Sequence, residues 1–165
     1  MLAEKTQLLG DQTPRCRLTR TAVDLADTHA RDAFFDAALD GAGKALVLTE
    51  GLLMYLEDRD VIALSEAIKR PEVAWWMLDF AFPGLKKMMN KKMAGMLQNA
   101  PFAPKNGLAY FEDLGWRTVE VESLFEVAHR LHRLLMLMRP VAWLPQSDPR
   151  HPGRRPLSAV ALLAH

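Results

Sequence analysis

The chain has a single cysteine, Cys16, among its 165 residues. That excludes an internal disulfide and fits a reducing compartment. Charge of one sign is also lacking. The 21 Lys and Arg nearly balance the 20 Asp and Glu, leaving a net charge of +1, so no global pull toward nucleic acid is expected. No apolar run approaches the roughly 20 residues needed to span a bilayer. Glu4 and Lys5 interrupt any apolar start, which argues against a signal peptide. There is no internal repeat, no interdomain linker, no Ser-His-Asp series and no Cys-His pair. The only glycine cluster, Gly41-Ala42-Gly43, precedes an apolar run. A phosphate or cofactor loop must instead follow a strand and open a helix, so the cluster reads as a helix stop. What remains is a chain that is 50% hydrophobic and of one-domain length. A domain near that size buries roughly 70% of its unfolded surface. Residues 1–165 therefore read as a single soluble, cytoplasmic domain with neither nucleic acid nor membrane as a partner.

Strand and helix patterns alternate along the chain, which predicts an α/β fold with a mostly parallel sheet. Strands are expected at Arg17–Asp24, Ala45–Thr49, Val73–Phe80, Trp116–Val121 and Leu157–Leu163, with Val73–Phe80 central. Thr28–Leu39 reads as a helix capped by Asp27 or Thr28, with Phe34, Phe35, Ala38 and Leu39 toward the core. Asp58 is expected to cap a helix whose stripe is Val61, Ile62, Leu64, Ala67 and Ile68, stopped at Pro71. A further helix spans about Ser123–Arg139, and a loop follows through Pro145, Pro149, Pro152 and Pro156.

The most informative stretch is Leu-Val-Leu-Thr-Glu-Gly-Leu-Leu-Met-Tyr-Leu, residues 46–56. An apolar strand ends at a carboxylate, Glu50, and Gly51 permits a sharp turn. Ligands of open α/β sheets bind just beyond the carboxyl ends of strands. A carboxylate at the end of a buried strand is costly without partners, so backbone amides or a ligand must satisfy Glu50. Asp24 ends the other expected strand; by spacing alone it either caps the following helix or faces the same crevice. Tyr55 either shapes a cavity or is a core tyrosine. Asp79 lies near a strand's carboxyl end, on the substrate side.

Other features have plain structural readings. Leu85, Met88, Met89, Met93, Met96 and Leu97 recur at helical spacing and read as an amphipathic helix, with an adaptable lid as the alternative. His129 and His132 are three apart, but no carboxylate or thiol cluster joins them to hold a metal. Arg150, His151, Arg154 and Arg155 read as a solvated loop. Trp75, Trp76, Trp116 and Trp143 read as core or rim aromatics.

The elements Ala22-Val23-Asp24-Leu25, Thr49-Glu50-Gly51-Leu52-Leu53-Met54-Tyr55-Leu56, Leu78-Asp79-Phe80 and Leu114-Gly115-Trp116 resemble the leucine carboxyl methyltransferase family. That family includes the polyketide-type O-methyltransferases. The resemblance covers nearly the whole chain, and the Glu-Gly-hydrophobic-Tyr-Leu element is its most specific part. It implies a class I enzyme that transfers a methyl group from S-adenosylmethionine to a small phenolic or carboxylic acceptor. It also implies that the carboxylate of Asp24 reads the adenine amino group, that Leu25 packs on the ring, and that Glu50 contacts the cofactor. The implied architecture is a partial Rossmann-like sheet, mostly parallel with an antiparallel last strand, lacking the family's first two strands and its glycine-rich loop. The chain then resembles only the carboxyl-terminal portion of the domain, with residues 1–9 as the helix after the second strand. Self-association through an exposed sheet edge is expected on that reading. Two alternatives stay open: an inactive fragment or decayed copy of such an enzyme, and another doubly wound nucleotide-dependent enzyme.

Overall fold

A computed structural model describes residues 2–10, 12–81, 102–133 and 158–165. Helix α1 (Leu2–Leu9) and an irregular segment lead into helix α2 (Thr28–Leu39). Strand β1 (Ala45–Thr49), a 3₁₀ turn (Leu53–Tyr55), helix α3 (Asp58–Ala67) and strand β2 (Val73–Ala81) follow. The remaining elements are helix α4 (Ala109–Asp113), strand β3 (Arg117–Ser123), helix α5 (Leu124–Arg130) and strand β4 (Ser158–Ala164). Among the described residues the strands form one open mixed sheet in the order β1-β2-β4-β3. β1 and β2 are parallel, and β4 runs antiparallel to both β2 and β3. Three strands thus share a direction, and the last in the chain opposes them.

Side chains alternate across a strand with a period of two, and here the alternation sorts the core. Trp76, Leu78 and Phe80 of β2 point to one face, with Ala159, Ala161 and Leu163 beside them on β4; all are buried. Against this face pack Val61 and Leu64 of α3 and Ile68 at its C-cap. Phe111 of α4 stands edge-on to both Trp76 and Phe80, with ring centroids 5.4 and 6.2 Å apart. Trp116 meets Trp76 at 5.2 Å, and its indole N–H donates to the buried Ser65 hydroxyl at 2.8 Å. The opposite face is more open: Leu46, Leu48 and Trp75 are all exposed. Ile62, expected in the α3 stripe, is 38% exposed and belongs to its outer side.

Helix ends follow local chemistry. The Asp27 carboxylate accepts from the Ala30 N–H at 3.1 Å and caps α2. Gly41 then sits at φ +72°, the left-handed conformation that ends a helix. Arg70 ties α2 to α3: its guanidinium pairs with Asp36 and lies over the Phe35 ring at 5.8 Å. Asp58 is not the cap of α3 but its first residue. Glu57 holds the cap position without a side-chain bond. The Asp58 carboxylate instead accepts from the Tyr110 hydroxyl at 2.9 Å, joining α3 to α4.

Two further expectations are corrected. Arg17–Asp24 is not a strand, and its residues are mostly exposed, Leu18 to 48%. No described segment offers it a ladder, and without a partner the apolar alternation cannot make a strand. The helix expected over Ser123–Arg139 ends at Arg130, and His132 has φ +55°. Ser123 caps it, accepting from the Glu126 N–H at 3.4 Å. The methionine stripe, Trp143, the Pro-rich loop and Arg150 to Arg155 lie outside the described residues. No described helix is long and apolar enough to cross a membrane.

Ser65→Ala should leave the buried Trp116 N–H unpaired and lower stability by about 1–3 kcal/mol, read as a shift in denaturant midpoint. Burial first, and then the hydrogen bond to and negative charge of Asp58, hold the Tyr110 phenol well above its ordinary value. A raised folded-state value favours the protonated form, so its contribution is complete below the unfolded value of about 10 and is lost as pH climbs beyond it. Tyr110→Phe should cost about 0.5–1 kcal/mol at neutral pH, the low end because the bond faces solvent. Melting curves of that variant should also show a weaker alkaline decline than the unaltered chain.

Candidate functional site

Two of the three acids singled out from the sequence, Glu50 and Asp79, belong to two adjacent strands and their ends. Thr49, the last residue of β1, is in register with Leu78 of β2, so Glu50 and Asp79 stand at the same level on the sheet's carboxyl edge. Glu50 is exposed there and Asp79 is partly buried. Gly51 follows with φ +60°, a conformation glycine adopts without the Cβ penalty. The chain then turns into the Leu53–Tyr55 helical turn, which buries Leu53.

β2 grips this junction on both sides of Glu50. Before it, the buried indole N–H of Trp76 donates to the Thr49 hydroxyl at 3.0 Å. After it, the Gly51 N–H donates to the Asp79 carboxylate at 2.8 Å. The Glu50 backbone is therefore fixed at its two neighbours, and its side chain is left facing solvent. An exposed carboxylate on a fixed backbone can accept hydrogen bonds from hydroxyl or amino groups of a ligand at low ordering cost.

The other expected site residues are placed differently. Asp24 lies in the irregular segment before α2, exposed, with Leu25 half-buried. Its carboxylate accepts from the Ala26 N–H at 3.0 Å, and its carbonyl accepts from the Asp27 N–H. This is a local turn just before α2, and Asp27 rather than Asp24 caps that helix. Among the described residues no hydrogen bond or ion pair joins Asp24 to Glu50. Tyr55 is 52% exposed and so is not a core tyrosine. Asp79 is engaged with backbone, which makes it a positioning group for the Glu50 loop. No described group of three His, Cys, Asp or Glu side chains could hold a metal ion.

Neither Thr49 nor Trp76 has a site role in the sequence reading, where Trp76 is a core or rim aromatic. Thr49 reads there as the end of an apolar run and the first residue of the element that carries the resemblance. The available signal was its phase: Thr49 shares the inward side of β1 with Val47, where a polar side chain requires a partner. The strand register that supplies the Trp76 N–H is visible only in three dimensions.

Asp79→Ala should release the Gly51 amide, raising its hydrogen exchange about tenfold, the equivalent of losing one hydrogen bond. Asp79→Asn keeps an acceptor oxygen and should preserve most of the protection. NMR exchange rates of the two variants provide the comparison. No protein-family model matches this chain, and no curated protein matches it either.

Proposed function

We propose that the chain carries the later strands of a class I methyltransferase sheet and serves S-adenosylmethionine-dependent O-methylation of a small phenolic or carboxylic acceptor. The observation that carries this reading is the junction at Glu50. An exposed carboxylate stands on a fixed backbone at the carboxyl end of a parallel strand, within the element of closest resemblance to the family. The strand directions support it too, since an antiparallel last strand is what the resemblance implies. On this reading Glu50 accepts from polar groups of the cofactor, and Asp79 keeps Glu50 in place.

The chemistry asks little acid–base work of the protein. A carboxylate or phenolate acceptor is already nucleophilic, and the sulfonium donor loses its positive charge as the methyl group leaves. Orientation in a dry pocket supplies most of the rate, up to about 7–11 kcal/mol in favourable cases. Asp79 and Trp76 contribute by holding the Glu50 backbone before any ligand arrives, so that less ordering is needed on binding.

A second reading, an inactive relative of such an enzyme, is favoured by the placement of Asp24. The carboxylate that the resemblance assigns to the adenine is bonded within its own turn. Isothermal titration with S-adenosylhomocysteine separates the two. The methyltransferase reading expects saturable heat that Glu50→Ala weakens by about tenfold, or ~1.4 kcal/mol. Glu120→Ala, at an exposed position on β3, should leave it unchanged. Equal losses from both would refute the Glu50 assignment, and no heat in the unaltered chain would favour the inactive reading.

A further inference from the structure

We propose that β1 is a self-complementary edge through which two copies of this chain pair about a two-fold axis at Val47. Among the described residues β1 pairs on one side only, with β2. The Ala45 N–H is donated inward, to the Glu72 carbonyl at 2.7 Å. Backbone direction alternates along a strand, so the N–H and C=O groups of Leu46 and Leu48 point to the open edge. Their side chains are 51% and 58% exposed. An apolar edge with outward donors and acceptors is a template for a further strand.

The sequence of the edge identifies the occupant as a second copy. With antiparallel pairing centred on Val47, Leu46 stands opposite Leu48 of the second copy. Those are the residues whose backbone groups face outward, as a hydrogen-bonded pair requires, and Val47 meets its own counterpart at the close, non-bonded position. One step further out, Lys44 stands opposite Glu50 of the second copy, and the two-fold repeats that contact at the other end. Leu46 and Leu48 within β1, and Lys44 and Glu50 that flank it, are all exposed. The Lys44 ammonium lies over the Trp75 ring, 5.9 Å from its centre. Each cation therefore finds an anion and each leucine a leucine, with no residue left facing a like charge. A net charge of +1 adds no long-range repulsion between copies. A pair of five-residue strands makes a small interface, so the association is weak and concentration-dependent.

Analytical ultracentrifugation over the micromolar to millimolar range tests the pairing. The unaltered chain should show a monomer–dimer equilibrium. Lys44→Glu and Glu50→Lys each place like charges opposite one another twice, so each should raise the dissociation constant about tenfold or more. The double variant carrying both changes restores the opposite charges and should return the dimer. Leu48→Lys, which adds a charge to the edge itself, should also give monomer. Thermal melts confirm that each variant is folded, and the readout is mass, so the result is independent of whether the chain binds a cofactor. The proposal is overturned if the unaltered chain is monomeric throughout or forms open-ended assemblies. It is equally overturned if the single reversals leave the dimer intact, or if the double variant fails to restore it.

Discussion

The indole of Trp76 is fully buried in the middle of the sheet, and its N–H must find an acceptor inside the core. The acceptor is the hydroxyl of Thr49, on the neighbouring strand. That bond joins the two halves of the molecule's chemistry. On one side the ring packs edge-on against Phe111 and Trp116, which draws α4 and the start of β3 onto the sheet. On the other side the bond fixes the carboxyl end of β1, one residue before Glu50. Trp116 repeats the device, with its N–H satisfied by Ser65 of α3. Polar satisfaction of two buried indoles thus fixes a helix and a strand end in place.

The sheet is built asymmetrically. Helices and aromatic rings cover the face of Trp76, Leu78 and Phe80, while Leu46, Leu48 and Trp75 stand exposed on the other. The proposed cofactor contact and the proposed pairing of two copies both converge on β1. Its carboxyl end presents Glu50, and the edge that is unpaired among the described residues presents an apolar row flanked by Lys44 and Glu50. A ligand and a second copy would therefore meet at the same carboxylate, so occupancy of one bears on access to the other.

Much of this fold was legible in the sequence where hydrophobic periodicity was strong. The helix over Thr28–Leu39 and the strand Ala45–Thr49 have the expected bounds. Val73–Phe80 is a central strand one residue longer than expected, and the last two strands differ by a residue or two at their ends. Arg17–Asp24 has the alternation of a strand, but a strand also needs a neighbour that no local pattern reveals. Asp58 is of a residue type that favours helix caps, but tertiary contact with Tyr110 claims its carboxylate. Glu50 stands where the sequence puts it, at the end of β1, but it is exposed, so water satisfies its carboxylate and the expected cost of an unpartnered buried acid does not arise. Its positioning by Asp79 was not legible, because 28 residues separate Asp79 from Gly51 and only the β1–β2 register brings them together.

Hydrogen exchange of the Trp76 indole N–H, followed by NMR under native conditions, tests most directly whether the sheet is organised around this bond. A buried donor held by Thr49 should exchange only through global unfolding. Its exchange free energy should then equal the unfolding free energy measured with denaturant. Exchange that is much faster than global unfolding, at a free energy far below that value, would contradict the anchoring of β1 to β2. It would also remove the basis for a fixed Glu50.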